Sequence, residues 1–143
     1  MATNSTSSWA DYSAKNLQRC LSQARTLKKQ LTKLGGERQH SLQFDFMFFD
    51  DARDNVEQLA NLLSERYLMN VEKVEDGNYW RGSGTITDIS INKILESYSL
   101  KWVEEMCDLS QSHGCTFSSW GLIDWDSRRY WRNSGIGELP AVG

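Results

Sequence analysis

Residues 41–67, SLQFDFMFFDDARDNVEQLANLLSERY, change period part-way along. From Ser41 to Asp50 the pattern alternates, with Leu42, Phe44, Phe46 and Phe48 on one face, as a half-buried strand requires. After Asp50 and Asp51 the apolar residues Ala52, Val56, Leu59, Ala60, Leu63 and Tyr67 recur at helical spacing. Two carboxylates at the junction suit a helix start, where free N–H groups favour acceptors and negative charge. This strand followed by an amphipathic helix is the anchor for reading the rest of the chain.

Downstream, Leu68 to Val74 reads as a second strand and Glu75-Asp76-Gly77-Asn78 as a tight turn. Tyr79 to Ile89 reads as a third strand, with Gly82 and Gly84 on one face marking a close backbone approach or a bulge. Residues 91–113 are helical in part. Tyr98, Trp102, Met106 and Leu109 form the buried side, Ser99 is a candidate cap, and Gly114 is the stop. Cys115 to Trp125 reads as the fourth strand.

Upstream, Ser8 to Leu34 predicts a helix with Leu17, Leu21, Ala24, Leu27, Leu31 and Leu34 in a narrow stripe, ended by Gly35-Gly36. That stripe suits packing on its own domain or on a partner. The order is helix, then β-α-β-β-α-β. It predicts an α+β, ferredoxin-like split βαβ fold: a four-stranded antiparallel sheet, two helices on one face, and an extra N-terminal helix. Residues 1–8 are expected to be disordered, 9–125 to form one domain, and 126–143 to be a C-terminal extension with Pro140 as the sole proline.

The chain has 143 residues, enough for one domain with its own core. No apolar run approaches the roughly 18 residues of a membrane span. The polar start resembles no secretory signal, so the expected address is cytoplasmic. Asn4-Ser5-Thr6 matches a glycosylation acceptor by chance in that setting. The net charge of −3 hides an asymmetry: residues 1–38 carry +5 and residues 39–143 carry −8. An acidic body disfavours general nucleic-acid binding and suits a basic partner.

Catalytic groups are sparse. His113 and Cys115 are two residues apart, a spacing open to thiolate activation but more simply a helix-end histidine beside a strand cysteine. Cys20, Cys107 and Cys115 make no zinc spacing. Asp50, Asp51 and Asp54 could take magnesium, although helix-start acidity accounts for them. Glu104, Glu105 and Asp108 read as a solvated helix face, and His40 as a loop residue. Gly82-Ser83-Gly84 lacks the frame of a phosphate loop. No catalytic residue, metal or cofactor is expected. Tyr79, Trp80 and Arg81 would be the base-stacking residues of an RNA-binding sheet, against the neighbouring acidity. The aromatic and basic stretch with Trp120, Trp125, Arg128, Arg129, Tyr130 and Trp131 is rich in hot-spot residue types. The competing reading tucks its aromatics back onto the sheet.

Over roughly residues 9–125 this order resembles RraB, the family of protein regulators of ribonuclease E activity. The most specific piece is the last strand, where the family tends to carry Tyr-Asp-Gly-Trp-Gly. This chain has Phe117-Ser118-Ser119-Trp120-Gly121, which keeps the Trp-Gly. Phe44 to Tyr67 agrees in length and pattern. The basic leading helix and the Asp126-Ser127-Arg128-Arg129-Tyr130-Trp131-Arg132 tail depart from the family's acidic termini. The resemblance implies a non-enzymatic inhibitor that binds a ribonuclease. Asp50, Asp51 and Asp54 are then candidates for steering, and Trp120, Trp125 and Trp131, with Arg128 and Arg129, for partner contacts. The departures leave room for an immunity protein that neutralises a cognate toxin. Direct RNA binding through the sheet face is the third reading.

Overall fold

The structure, a computed structural model, describes residues 4–34 and 42–139, with side chains from Ser8 onward. The Gly35-Gly36 stop, His40 and Pro140 lie outside the described residues. In chain order the elements are α1 (Asn4–Leu34), β1 (Leu42–Asp50), α2 (Arg53–Leu63), β2 (Leu68–Val74) and β3 (Tyr79–Thr87). Then come α3 (Ile91–Ser97), α4 (Leu100–Ser112), β4 (Thr116–Asp124), β5 (Arg129–Arg132) and β6 (Gly135–Glu138).

The fold is α+β. Its sheet has six strands in the order β2-β3-β1-β4-β5-β6, every neighbouring pair antiparallel. The expected four-stranded sheet is therefore corrected. Its four strands are present, and residues 129–138 extend the sheet as a hairpin beyond β4. The β4–β5 turn is built locally: Asp124 Oδ1 accepts from the Asp126 and Ser127 amides at 3.0 and 3.4 Å, and Arg128 takes φ 57°. Two more expectations change. The first helix begins at Asn4, inside the stretch expected to be disordered. The helical region after β3 breaks into α3 and α4. Ser90 caps α3 by accepting from the Lys93 amide at 3.1 Å, whereas Ser99 stands at the α4 N-cap without a side-chain bond.

β1 sits in the middle, and Phe44, Phe46 and Phe48 are almost wholly buried under the helices. Gly84 and Gly82 stand opposite Phe46 and Phe48, and those rings occupy the space where each glycine would carry a Cβ. The two glycines therefore mark ring-over-backbone packing. Trp102 of α4 meets Phe44, Phe46 and Phe117 edge-on at 5.4–5.7 Å between centroids and donates Nε1–H to the Tyr67 hydroxyl at 3.3 Å.

α1 packs on this domain, chiefly against α4. Because β5 pairs only with Gly121–Asp124, the first half of β4 has no strand beyond it among the described residues. α1 serves that edge: Asn16 Nδ2 donates to the Phe117 carbonyl at 3.0 Å, and Cys20 Sγ donates to it at 3.7 Å. Asn133 completes the seam. Its Oδ1 accepts from the Trp120 amide at 2.9 Å, and its Nδ2 donates to Gln23 Oε1 and the Ser118 carbonyl at 2.8 and 3.2 Å. Backbone groups without a strand partner are thus bonded to side chains.

Candidate functional site: an acidic, aromatic end of the sheet

The β1–β3 register places Asp50 opposite Trp80, two residues beyond the β2–β3 turn. The start of α2 and that turn therefore share one end of the sheet. Asp50, Asp51, Asp54, Glu57, Glu72, Glu75 and Asp76 gather there from three local segments. The cations on the same segments are Arg53, Lys73 and Arg81. Two of the three are taken: Arg53 bonds Glu57 at 2.6 Å, and Arg81 bonds Glu72. Asp51, Asp54, Glu75 and Asp76 are exposed.

Asp50 has a structural task. Its Oδ2 accepts from the Ala52 amide and from Asn55 Nδ2, both at 3.0 Å, so it shapes the entry to α2. That duty leaves Asp51 and Asp54 as the outward charges. Beside them, on the face of the sheet opposite Phe48, Phe49 and Tyr79 pack ring to ring at 5.6 Å, and Lys15 and Arg19 of α1 border a groove that Phe49 shares. Trp80 points to the opposite face, where the Arg53 guanidinium lies 4.8 Å from its ring centroid. The expected trio Tyr79, Trp80 and Arg81 is thus divided between the two faces by strand alternation.

The second predicted group lies elsewhere. β4 and β5 meet at the other end of β1, where Leu42 pairs with Asp124. Eight residue steps along β1 separate the two ends by about 26 Å. Trp125 is there and is 46% exposed, its Nε1 donating to Gln43 at 3.3 Å. Trp120 and Trp131 are only 1% and 4% exposed, which corrects their expected role as partner anchors. Trp120 stacks on Phe117 at 5.2 Å, and Trp131 faces the core opposite Leu122. Arg129 is spent partly on Trp131, with its guanidinium 5.2 Å from the ring centroid. Arg128, in the β4–β5 turn, is not without a partner.

The groups weighed for catalysis take structural places. Burial, with Asp50 nearby, pushes the Cys115 thiol up to about 12, so it stays protonated near neutrality. Its Sγ–H points to the backbone carbonyl of His113 at 3.7 Å, while His113 Nδ1 faces the Leu109 carbonyl at 3.0 Å. Cys20 and Cys107 share a hydrogen bond between α1 and α4. That bond lowers the Cys20 pKa and raises that of Cys107. Glu104, Glu105 and Asp108 lie on the exposed side of α4.

Sequence reasoning missed one buried charge pair. Arg132 of β5 reaches across Gly121 to Asp45 of β1, bonding Oδ2 at 2.7 Å. Asp45 Oδ1 is buried with no hydrogen-bond partner among the described residues. Burial raises the Asp45 pKa, with Arg132 pulling the other way. The available signal was a charged residue, Asp45, flanked by Phe44 and Phe46 inside the strand.

No family model matches this chain, and no curated protein matches it. Among the described residues no helix is long and apolar enough to cross a membrane.

Proposed function

We propose that the chain is a non-enzymatic protein inhibitor of a ribonuclease, acting in the manner the RraB resemblance implies. The observation that carries this reading is the gathering of carboxylates beside the Phe49–Tyr79 pair at one end of the sheet. Such an end complements the basic groove in which a nuclease holds RNA. Its exposed acids speed encounter, and the two rings supply apolar contact at the centre. The central strand order β2-β3-β1-β4 agrees with a ferredoxin-like split βαβ unit to which the β5–β6 hairpin has been added. The fold by itself does not select the partner.

An immunity protein that neutralises a nuclease toxin would use the same surface. The features that favour it are the cationic α1 and the strand hairpin where the family carries acidic tails. RNA binding through the open sheet face is disfavoured. The Arg81 guanidinium is bonded to Glu72, and the surrounding carboxylates would repel phosphate.

The test is cleavage of a labelled RNA by purified ribonuclease E with increasing amounts of this protein. Inhibition that saturates near one equivalent is the expected result. A combined Asp51→Lys, Asp54→Lys and Asp76→Lys variant should then associate at least about tenfold more slowly at low salt. A nuclease toxin encoded beside this gene replaces ribonuclease E in a parallel assay. Failure of both nucleases to bind, or inhibition indifferent to the charge reversals, refutes the proposal.

A further inference from the structure

Every exposed residue of α1 between Lys15 and Lys33 is Lys, Arg, Gln, Ser or Thr. Six are cations: Lys15, Arg19, Arg25, Lys28, Lys29 and Lys33. They span about 27 Å of helix, with no carboxylate among them. Lys15, Arg25, Lys29 and Lys33 fall within about a quarter of the circumference, directly opposite the buried Cys20, Ala24, Leu27 and Leu31. None of the six forms an ion pair with a described residue. The Arg19 guanidinium is held by the neutral oxygens of Asn16 and Gln23 at 2.6 and 2.9 Å rather than by a carboxylate.

The face also lacks any exposed apolar residue over that span. A protein partner draws its affinity from buried aromatic and aliphatic anchors, and lasting attachment to a membrane surface needs an apolar or acyl anchor beside a basic patch. A phosphodiester chain needs neither, because its affinity comes from replacing condensed counterions with Lys and Arg. Gln18 and Ser22 add side chains of the type that donate to phosphate oxygens. At the N-terminal end of the stripe, Lys15 and Arg19 border an open groove of about 450 Å³ with Tyr12 and Phe49 in its wall. Tyr12 is 45% exposed and stacks on Trp9 at 5.7 Å, which offers a ring to an unpaired base.

We propose that the outward face of α1 binds the phosphodiester backbone of single-stranded RNA, with Tyr12 stacking one base at its end. Carboxylates come near the N-terminal end of the stripe, where Asp11 is exposed beside Tyr12 and Asp108 shares a pocket with Tyr12 and Asn16, whereas α1 itself carries none from Lys15 to Lys33. The inference goes beyond the inhibitor reading and is measured without any nuclease, so each can fail alone.

The experiment follows fluorescence anisotropy of a labelled oligouridylate of about 15 nucleotides, a length that matches common single-strand sites, across a salt series. Four phosphate contacts predict a slope of log K against log salt near −2.8. Lys29→Gln alone should reduce the slope by about 0.7. The combined Lys15→Gln, Arg25→Gln, Lys29→Gln and Lys33→Gln variant should lose binding at moderate salt. All four residues are exposed, and an unchanged melting curve confirms that fold is retained. Tyr12→Ala should weaken binding about tenfold while leaving the slope unchanged. Three outcomes overturn the proposal: no binding at low salt, equal binding of an oligoglutamate, or binding that survives the fourfold variant and is lost in Arg81→Gln.

Discussion

Arg132→Met should be among the most costly single substitutions outside the apolar core. The Asp45 carboxylate is 10% exposed and the Arg132 side chain 17%, joined at 2.7 Å. Removing the guanidinium leaves a buried charge whose Oδ1 already lacks a hydrogen-bond partner among the described residues. Stranding one member of such a pair costs about 3–5 kcal/mol. For 143 residues that lowers the melting temperature by roughly 10–15 °C. The cost should depend on pH. Burial raises the folded-state pKa of Asp45 above its ordinary 3.8, so the folded protein holds this proton more tightly than the unfolded chain. Stability therefore falls as pH rises from about 4 through the folded pKa. Without Arg132 that window extends upward, so the variant loses more at pH 7 than at pH 4.5. Asp45→Leu with Arg132→Met removes both charges and should recover most of the loss. Urea unfolding of the wild type, both singles and the double at the two pH values closes the cycle. A penalty below about 1 kcal/mol at pH 7, or one equal at both pH values, refutes the reasoning.

Gly84→Ala should destabilise by about 2 kcal/mol, because the new Cβ falls on the Phe46 ring in a packed core; thermal melts check this. Trp120→Ala should cost about 3–5 kcal/mol and Trp125→Ala under about 1 kcal/mol. These follow from exposures of 1% and 46%, and chemical denaturation separates them. The Cys115 thiol should react with an aromatic disulfide reagent at pH 8 far more slowly in the native protein than in urea, because burial holds its pKa at about 12. Stopped-flow absorbance reads the difference.

The β1–α2 unit was legible because the apolar period switches from 2 to 3.6 without a gap, and the structure keeps both elements. The β5–β6 hairpin was not. Its strands are four residues each, too short to display a period, and half of Gly135–Glu138 is glycine. Trp120 was misjudged because composition marks it as a hot-spot residue, whereas its burial depends on which face it occupies. The register shift between Met47 and Phe48 disturbs simple alternation in β4. Asp50, Asp51 and Asp54 could be found as a local run. Their meeting with Glu75, Asp76 and Tyr79 required the antiparallel pairing of β1 with β3. The separation of these acids from Trp125 and Arg129 follows from the pairing of β1 with β4, which no local pattern reveals.

The central place of β1 has a consequence during synthesis. Its two neighbours, β3 and β4, begin 37 and 74 residues later in the chain. At about 5–20 residues per second, β4 follows β1 from the ribosome by roughly 4–15 s. Until then the Phe44, Phe46 and Phe48 face lacks its full cover, and both edges of the strand await partners. The nascent chain should therefore be a chaperone client in this interval, with release timed to the emergence of Asp124 rather than to the completion of β1.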